Sequence, residues 1–210
     1  MTHLILFDFD GMLADNLEDM LRFAAQAGDQ LGLQLTPTPA DLEALETMDL
    51  PSYGRQLGVP EELRPQFADH VRALFLAKTE PPSIFPGIPV VLASLDGRST
   101  IGIITGNSIG LVQKFLRRYD LLEYVSLIFG GETPGTRLHK ALRALRDAGV
   151  NAENACIVSD AVSDIYLARE IGIRSIAVTW GYQSRAKLAS AGPDAIADTP
   201  QELGAILLTA

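Results

Sequence analysis

Five short apolar runs rich in β-branched residues, at 3–7, 100–104, 125–129, 155–158 and 175–179, constrain the fold most, because amphipathic stretches at 109–119, 138–148 and 163–171 separate the last four. Runs this short and this continuous read as strands buried on both faces, and the helices between them cover a parallel sheet through right-handed crossovers. The expected architecture is α/β, a doubly wound, Rossmann-like parallel sheet. Residues 16–85 break the rhythm. Helical patterns begin at Leu17, recur around Leu42–Met48 and return near Phe67, Val71, Leu74 and Phe75, with Pro37, Pro51, Gly58, Pro60 and Pro65 between them and Pro81-Pro82 and Pro86-Gly87 closing the segment. The organisation expected is a core of residues 1–15 and 86–210 carrying an inserted helical cap domain at 16–85. A ligand in an open α/β sheet sits beyond the carboxyl ends of the strands, so an insertion leaving strand one there is placed as a lid.

The first run ends in Asp8 and Asp10, with Gly11 directly after. Alternation along a strand points both acids to one side and Phe9 to the other. Like charges that close repel, and one protonates unless a cation or a chemical task holds both. Two turn aspartates closing a strand are the competing reading. Thr105-Gly106-Asn107-Ser108 follows the second run and offers a hydroxyl and free backbone N–H groups ahead of a helix, an arrangement that binds phosphate. Ser159-Asp160 with Asp164 follows the fourth run; Asp160 falls near a capping position and Asp164 one turn on, so both can face one ion. A carboxylate nucleophile, a phosphate-binding hydroxyl and a hard cation fit these strand ends together. Mg²⁺ suits an oxygen-rich set that leaves room for water and phosphate oxygens. Zinc does not, because His3, His70 and His139 are scattered without ligand spacing.

Composition narrows the partners. The 210-residue chain is 47% hydrophobic and 20% charged, ordinary for a folded domain, and its net charge of −9 argues against nucleic acid and anionic membrane as partners. An anionic substrate must therefore find local positive charge. The one cysteine, Cys156, lies in an apolar stretch, where a buried structural thiol is the plain reading. The N-terminus lacks the pattern of a signal peptide and no apolar run approaches the roughly 20 residues of a membrane span, so the expected address is the cytoplasm. Oligomeric state stays open.

The stretch Asp8-Phe9-Asp10-Gly11-Met12-Leu13-Ala14-Asp15, with Thr105-Gly106-Asn107 and with Val158-Ser159-Asp160 and Asp164, resembles in order and spacing the signature motifs of the haloacid dehalogenase-like hydrolase superfamily. Val178-Thr179-Trp180-Gly181-Tyr182 and the tail from Gly192 to Asp198 look like its phosphoglycolate phosphatase-like branch. The resemblance implies a Mg²⁺-dependent phosphatase of a small phosphorylated metabolite, phosphoglycolate or a sugar phosphate, working through an aspartyl-phosphate. Asp8 is then the nucleophile and Asp10 the general acid and base. Thr105, with Gly11, Gly106 and Asn107, holds the phosphoryl oxygens, and Asp8, Asp10, Asp160 and Asp164 form the metal set. For the cation that offsets these acids, Lys140 keeps the family's residue type and Arg137 fits the spacing to Asp160; Lys140 is preferred, and Arg137 is then a substrate-binding residue. Met12, Asn16 and Ser159 depart from the family's usual Thr, Ser and Gly. A phosphomutase of the same superfamily, or a degenerate member that binds a phosphorylated ligand or a protein without turnover, is the alternative. Within the insertion Tyr53, Arg55 and Gln56 are polar groups read as solvated surface.

Overall fold

The computed structural model describes residues 3–209. Six strands, β1 (His3–Phe7), β2 (Ser99–Ile104), β3 (Leu127–Phe129), β4 (Ala155–Ser159), β5 (Arg174–Val178) and β6 (Ala195–Ala197), form one parallel sheet in the order β3-β2-β1-β4-β5-β6. The chain runs outward from β1 to β3, then crosses back to β4 on the other side of β1. The switch point, where ligands bind in such sheets, therefore lies between β1 and β4. Register fixes what stands there. Phe7 lies beside Ile103 on β2 and Val158 on β4, so Asp8, Thr105 and Asp160 leave three adjacent strands within two residues of one level.

Alternation on β1 divides the core. Ile5 and Phe7 join one apolar cluster with Ile103, Val158, Ile88, Leu92, Phe115 and Leu203, whereas Leu4 and Leu6 join another with Ile157, Ala141, Ala144, Leu167 and Ala168. The helices are α1 (Leu17–Gln30), α2 (Pro39–Glu43), α3 (Leu50–Gln56), α4 (Arg64–Ala77), α5 (Ile88–Ser94), α6 (Ile109–Arg118), α7 (Arg137–Ala148), α8 (Val162–Ile171), α9 (Arg185–Ser190) and α10 (Pro200–Leu208). Helices α5, α6 and α10 cover the first face; α7 and α8 cover the second. The doubly wound α/β class expected from the sequence is the one the chain adopts. Strand β6 and helices α5, α9 and α10 were not among the expected elements, and β3 is shorter than the apolar run that marks it. Among the described residues no helix is long and apolar enough to cross a membrane.

Helices α1 to α4 build a separate apolar cluster from Met20, Phe23, Ala27, Leu42, Tyr53, Phe67, Val71 and Phe75, in which the Phe23 and Phe75 rings meet edge to face at 4.8 Å. Tyr182, after β5, packs into it, and Leu111 of α6 packs against it. A two-residue antiparallel ribbon, Ala14–Asp15 against Ser83–Ile84, holds the two ends of this helical segment side by side.

Candidate active site

The turn after β1 is what aims its acids. Gly11, at φ +72°, takes a left-handed conformation while Leu13 and Ala14 donate back to the Phe9 carbonyl at 3.0 and 2.9 Å. Asp8 Oδ1 accepts from the Phe9 N–H at 2.8 Å and pairs with Arg137 Nη2 at 3.0 Å, while the Ser159 hydroxyl donates to its Oδ2 at 3.3 Å. Asp10 is held by two amides: Asn16 Nδ2 donates to one oxygen and Asn107 Nδ2 to the other, each at 2.6 Å. The Tyr182 hydroxyl donates to Asn16 Oδ1 at 2.6 Å and so fixes that amide in turn. Asp8, Asp10, Gly106, Asn107, Arg137 and Asp164 line one face of a cavity of about 160 Å³, and residues of α1, α3 and α4 line the opposite face.

Thr105 is buried, and its Oγ1 accepts from the Asn107 N–H at 3.1 Å. The start of α7 decides which cation reaches the acids. Thr136 caps that helix in a reciprocal box with His139, which leaves Arg137 as the first helical residue, over the end of β1. Arg137 Nη2 donates to Asp164 Oδ2 at 2.6 Å and Nε donates to Oδ1, so one guanidinium joins Asp164 to Asp8. Lys140, one turn later, is turned elsewhere: its Nζ donates to the carbonyl oxygens of Gly130 at 2.6 Å and Thr105 at 3.3 Å. Arg137 rather than Lys140, the residue preferred from the sequence, is thus the one that touches Asp8 and Asp164, the capping box setting which face of α7 meets the carboxylates. Asp164, expected among the metal ligands, has both oxygens on Arg137.

Asp160 is gripped by backbone. Its Oδ2 accepts from the Tyr182 N–H at 2.7 Å, and a methyl group on either Gly11 or Gly181 would run into its carboxylate. Burial first, and the charge of Asp8 next, push Asp160 well above the ordinary carboxylate range. Burial raises Asp8 as well, with Arg137 pulling it back and Asp164 pushing it up again. Asp10 keeps some accessible surface, yet burial and then the charge of Asp8 lift it to about 7 against the lowering effect of its two amide partners. For Arg137, burial works against the charge, and Asp164 and Asp8 more than offset it. Two of these acids, Asp8 and Asp164, share the one guanidinium, while Asp10 and Asp160 are held by neutral donors.

Asp8, the Asp10 carbonyl and Asp160 are the oxygen groups here that would hold a divalent cation, of the kind that takes one or two protein carboxylates and completes its shell with water and phosphate oxygens. Among the described residues no three Asp, Glu, His or Cys side chains converge as an all-protein cage, and the glycine-lined seat of Asp160 leaves that acid little freedom to turn elsewhere. Cys156 is buried in β4, and burial pushes its thiol up to about 12.

Sequence reasoning quoted Asn16 as a departure and Tyr182 within a motif without giving either a task; both brace the acids. The signals that mark them are weak, a polar residue after a turn and an aromatic after a strand, since their partners lie 6 and 166 residues away. Met12, the other departure, is fully buried in the sheet core, and its carbonyl accepts from Trp180 Nε1 at 3.2 Å.

A family model for haloacid dehalogenase-like hydrolases matches residues 5–178. The chain is 30% identical to a phosphoglycolate phosphatase of Synechococcus elongatus over 209 residues, 95% of this chain and 94% of that one. It is 29% identical to a 5'-nucleotidase of Pseudomonas aeruginosa over 198 residues, 90% of this chain and 88% of the other. A haloacid dehalogenase-like hydrolase of Streptococcus pneumoniae has the same fold, with a TM-score of 0.87, 24% identity and 98% of each chain covered. With its motif acids gathered at the switch point and a match over most of its length, the chain belongs to the haloacid dehalogenase-like hydrolase family, in the phosphoglycolate phosphatase-like branch.

Proposed function

We propose that the chain is a Mg²⁺-dependent phosphatase that hydrolyses a small phosphate monoester through an aspartyl-phosphate on Asp8. The observation that carries this reading is the pairing of two carboxylates with different environments in one cavity: Asp8 on the Arg137 guanidinium, Asp10 on two neutral amides. Carboxylates whose surroundings set them apart serve as nucleophile and as acid–base partner. Asp8 attacks phosphorus while the protonated Asp10 gives its proton to the departing alcohol oxygen. Asp10, now a carboxylate, takes a proton from the water that attacks the phosphoenzyme and frees phosphate. Thr105 and the N–H groups of Gly106 and Asn107 hold the phosphoryl oxygens. Arg137 offsets the charge of Asp8 and Asp164 as the anionic substrate approaches, and Lys140 braces the Thr105 and Gly130 carbonyls beneath the phosphate-binding loop. Bound Mg²⁺, held by Asp8, Asp160 and the Asp10 carbonyl, would supply the remaining positive charge that phosphoryl transfer requires. Residues 16–85 form the cap that closes over this site, with the ribbon at its root as the hinge. The phosphatase and nucleotidase names of the relatives support the reaction class.

The test is phosphate release from a panel of monoesters with Mg²⁺ or with chelator, for the wild type and Asp8→Asn. Release that needs both the metal and Asp8 is the expected result. Binding without release across the panel would turn the reading toward a degenerate phospho-ligand binder, and transfer of the phosphoryl group back to substrate toward a mutase.

A further inference from the structure

Helix α4 sets a cation across from Gly106 and Asn107. Arg72 lines the cavity of about 160 Å³ that holds Asp8 and Asp10, and it also lines an adjoining one of about 520 Å³ bounded by Ser108, Gly131 and Lys140. Gly106 and Asn107 line both, as does Phe75, one turn after Arg72, so this face of α4 looks onto a cleft that continues past the acids. Attack by Asp8 sends the leaving oxygen out on the far side of phosphorus, because attacking and leaving oxygens stand roughly in line. Asp8 belongs to the sheet side of the cavity, so the leaving alcohol projects toward the helices opposite, α4 among them.

The guanidinium is held loosely. The Arg72 side chain is 49% exposed, and its partner Asp69, one turn earlier on the same helix at 2.8 Å, is 77% exposed. A solvated pair of that kind is weak and gives way to an anion fixed in the cleft. Among the described residues the other cations that line these two spaces are committed, Arg137 to Asp8 and Asp164, and the buried Lys140 to the carbonyls of Gly130 and Thr105. Asp49 and Glu132, which also line them, accept from the Ser52 and Ile109 N–H groups. Beyond its phosphoryl group, a ligand therefore meets one available positive charge, set in a wall to which Met20, Leu42, Leu50 and Phe75 give apolar surface.

We infer that Arg72 is a specificity-determining residue: it pairs with a second anionic group, a carboxylate or a second phosphate, on the leaving alcohol of the phosphate monoester. The inference rests on the phosphatase reading and names its substrate class. The test sets phosphoglycolate and its homologues with one and two further methylenes each against the corresponding primary amide, and ethylene glycol bisphosphate against the monophosphate. All are assayed with Mg²⁺ on the wild type, Arg72→Gln and Arg72→Lys. In at least one pair the ester with the second anion should lead in kcat/KM by about tenfold; Arg72→Gln should bring that ratio close to one, and Arg72→Lys should keep part of it. A lead confined to the acids assigns a carboxylate to Arg72, and one confined to the bisphosphate assigns a phosphate. Overturning results are neutral esters that equal or outpace their anionic counterparts in every pair, a lead that survives Arg72→Gln, or equal losses for anionic and neutral esters in that variant. Equilibrium binding of the same esters to Asp8→Asn protein, with and without Arg72→Gln, reads the preference without turnover. If no ester is hydrolysed, the phosphatase reading falls while the binding ratio still decides the role of Arg72.

Discussion

Arg137 holds two buried acids with one planar group, and a lysine there could not. Its Nε and Nη2 take both oxygens of Asp164 while Nη2 also reaches Asp8, so Arg137→Lys keeps the charge and loses the fork. A fall in kcat/KM of about tenfold is expected for Arg137→Lys. Arg137→Ala leaves the fully buried Asp164 carboxylate unpaired and should cost activity by 100-fold or more and stability by about 3 kcal/mol, read by urea unfolding. Asn16 acts on Asp10 more gently. Its amide lowers the Asp10 carboxyl, so Asn16→Ala should move the Asp10-controlled limb of the kcat profile to higher pH and reduce kcat about tenfold; an unmoved limb would separate Asn16 from the acid. At this scale the sequence is legible where a residue's task follows from its place at a strand end. Asp8, Thr105 and Asp160 are found that way because register alone brings their strands level. Arg137 against Lys140 is not, because the two differ by one helical turn and a Thr–His capping box chooses between them. Tyr53 was hidden for a related reason: a phenol between Ser52 and Gly54 reads as surface until α4 brings Phe67 against its ring. Cys156 gives the plain case. Burial raises its thiol to about 12, with Arg174 opposing, so a disulfide reagent at pH 8 should label none of the folded protein and one thiol per chain after unfolding in urea.

Between the sheet and helices α1 to α4, the loop after β5 acts as a strap. Gln183 is buried; its Oε1 accepts from Val162 N–H at 2.8 Å, at the first turn of α8, and its Nε2 donates to the Leu45 carbonyl at 2.6 Å. Beside it Ser184 donates its N–H and hydroxyl to Glu43, each at 2.6 Å, and Lys187 Nζ donates to the Glu43 and Leu45 carbonyls, each at 2.7 Å. On the opposite side Lys114 of α6 donates to the Thr79 carbonyl at 2.6 Å. Burial divides the expected effects. Gln183→Ala orphans the Val162 N–H and removes one of the two donors to the Leu45 carbonyl, and should cost about 1–3 kcal/mol of global stability, whereas the exposed Ser184→Ala should cost well under 1 kcal/mol. Ser184→Ala should instead raise hydrogen exchange in α2 and the loop after it, leaving the sheet unchanged; equal exchange gains in both would deny the strap a local role. The contacts to Glu43 and Leu45 could not be read from the chain, since they join residues about 140 apart. Strand β6 escaped for a different reason: Ala-Ile-Ala is too short and too poor in β-branched residues to signal a strand, and it forms because β5 offers an open edge to pair with. The helical character of 16–85 was plain from the spacing of Phe67, Val71 and Phe75, which α4 buries, whereas the ribbon at its root, two residues on each side, carries no pattern of its own.

For the molecule as a whole, the concentration of acid at one sheet edge sets how stability depends on pH. Asp8, Asp10 and Asp160 all bind protons more tightly folded than unfolded, because burial and mutual repulsion penalise their charged forms. Stability changes with pH as the difference in bound protons between unfolded and folded states, so for groups raised in the fold it increases as pH falls. For Asp10 that gain begins near its folded value of about 7 and is complete below the ordinary value of 3.8. Asp41 and Asp194 act the other way: hydrogen bonds from Thr38 and Ser175 lower them, and their contribution is lost only as pH falls below the usual carboxylate range. Between pH 8 and about 5.5 the raised acids therefore govern the slope, and the net charge of −9 adds general self-repulsion in the same direction. Chelator-treated protein should melt several degrees higher at pH 5.5 than at pH 8, since about 1 kcal/mol moves Tm by about 2–4 °C in a chain of this length. A cation at the Asp8 and Asp160 carboxylates competes with the same protons, so added Mg²⁺ should raise Tm more at pH 8 than at pH 5.5 and flatten the dependence. Calorimetry with chelator and with Mg²⁺ at the two pH values reads both effects. A chelated Tm that falls steadily from pH 8 to 5.5, or an equal Mg²⁺ shift at both, would mean that these acids are neither the site of the proton uptake nor the seat of the metal.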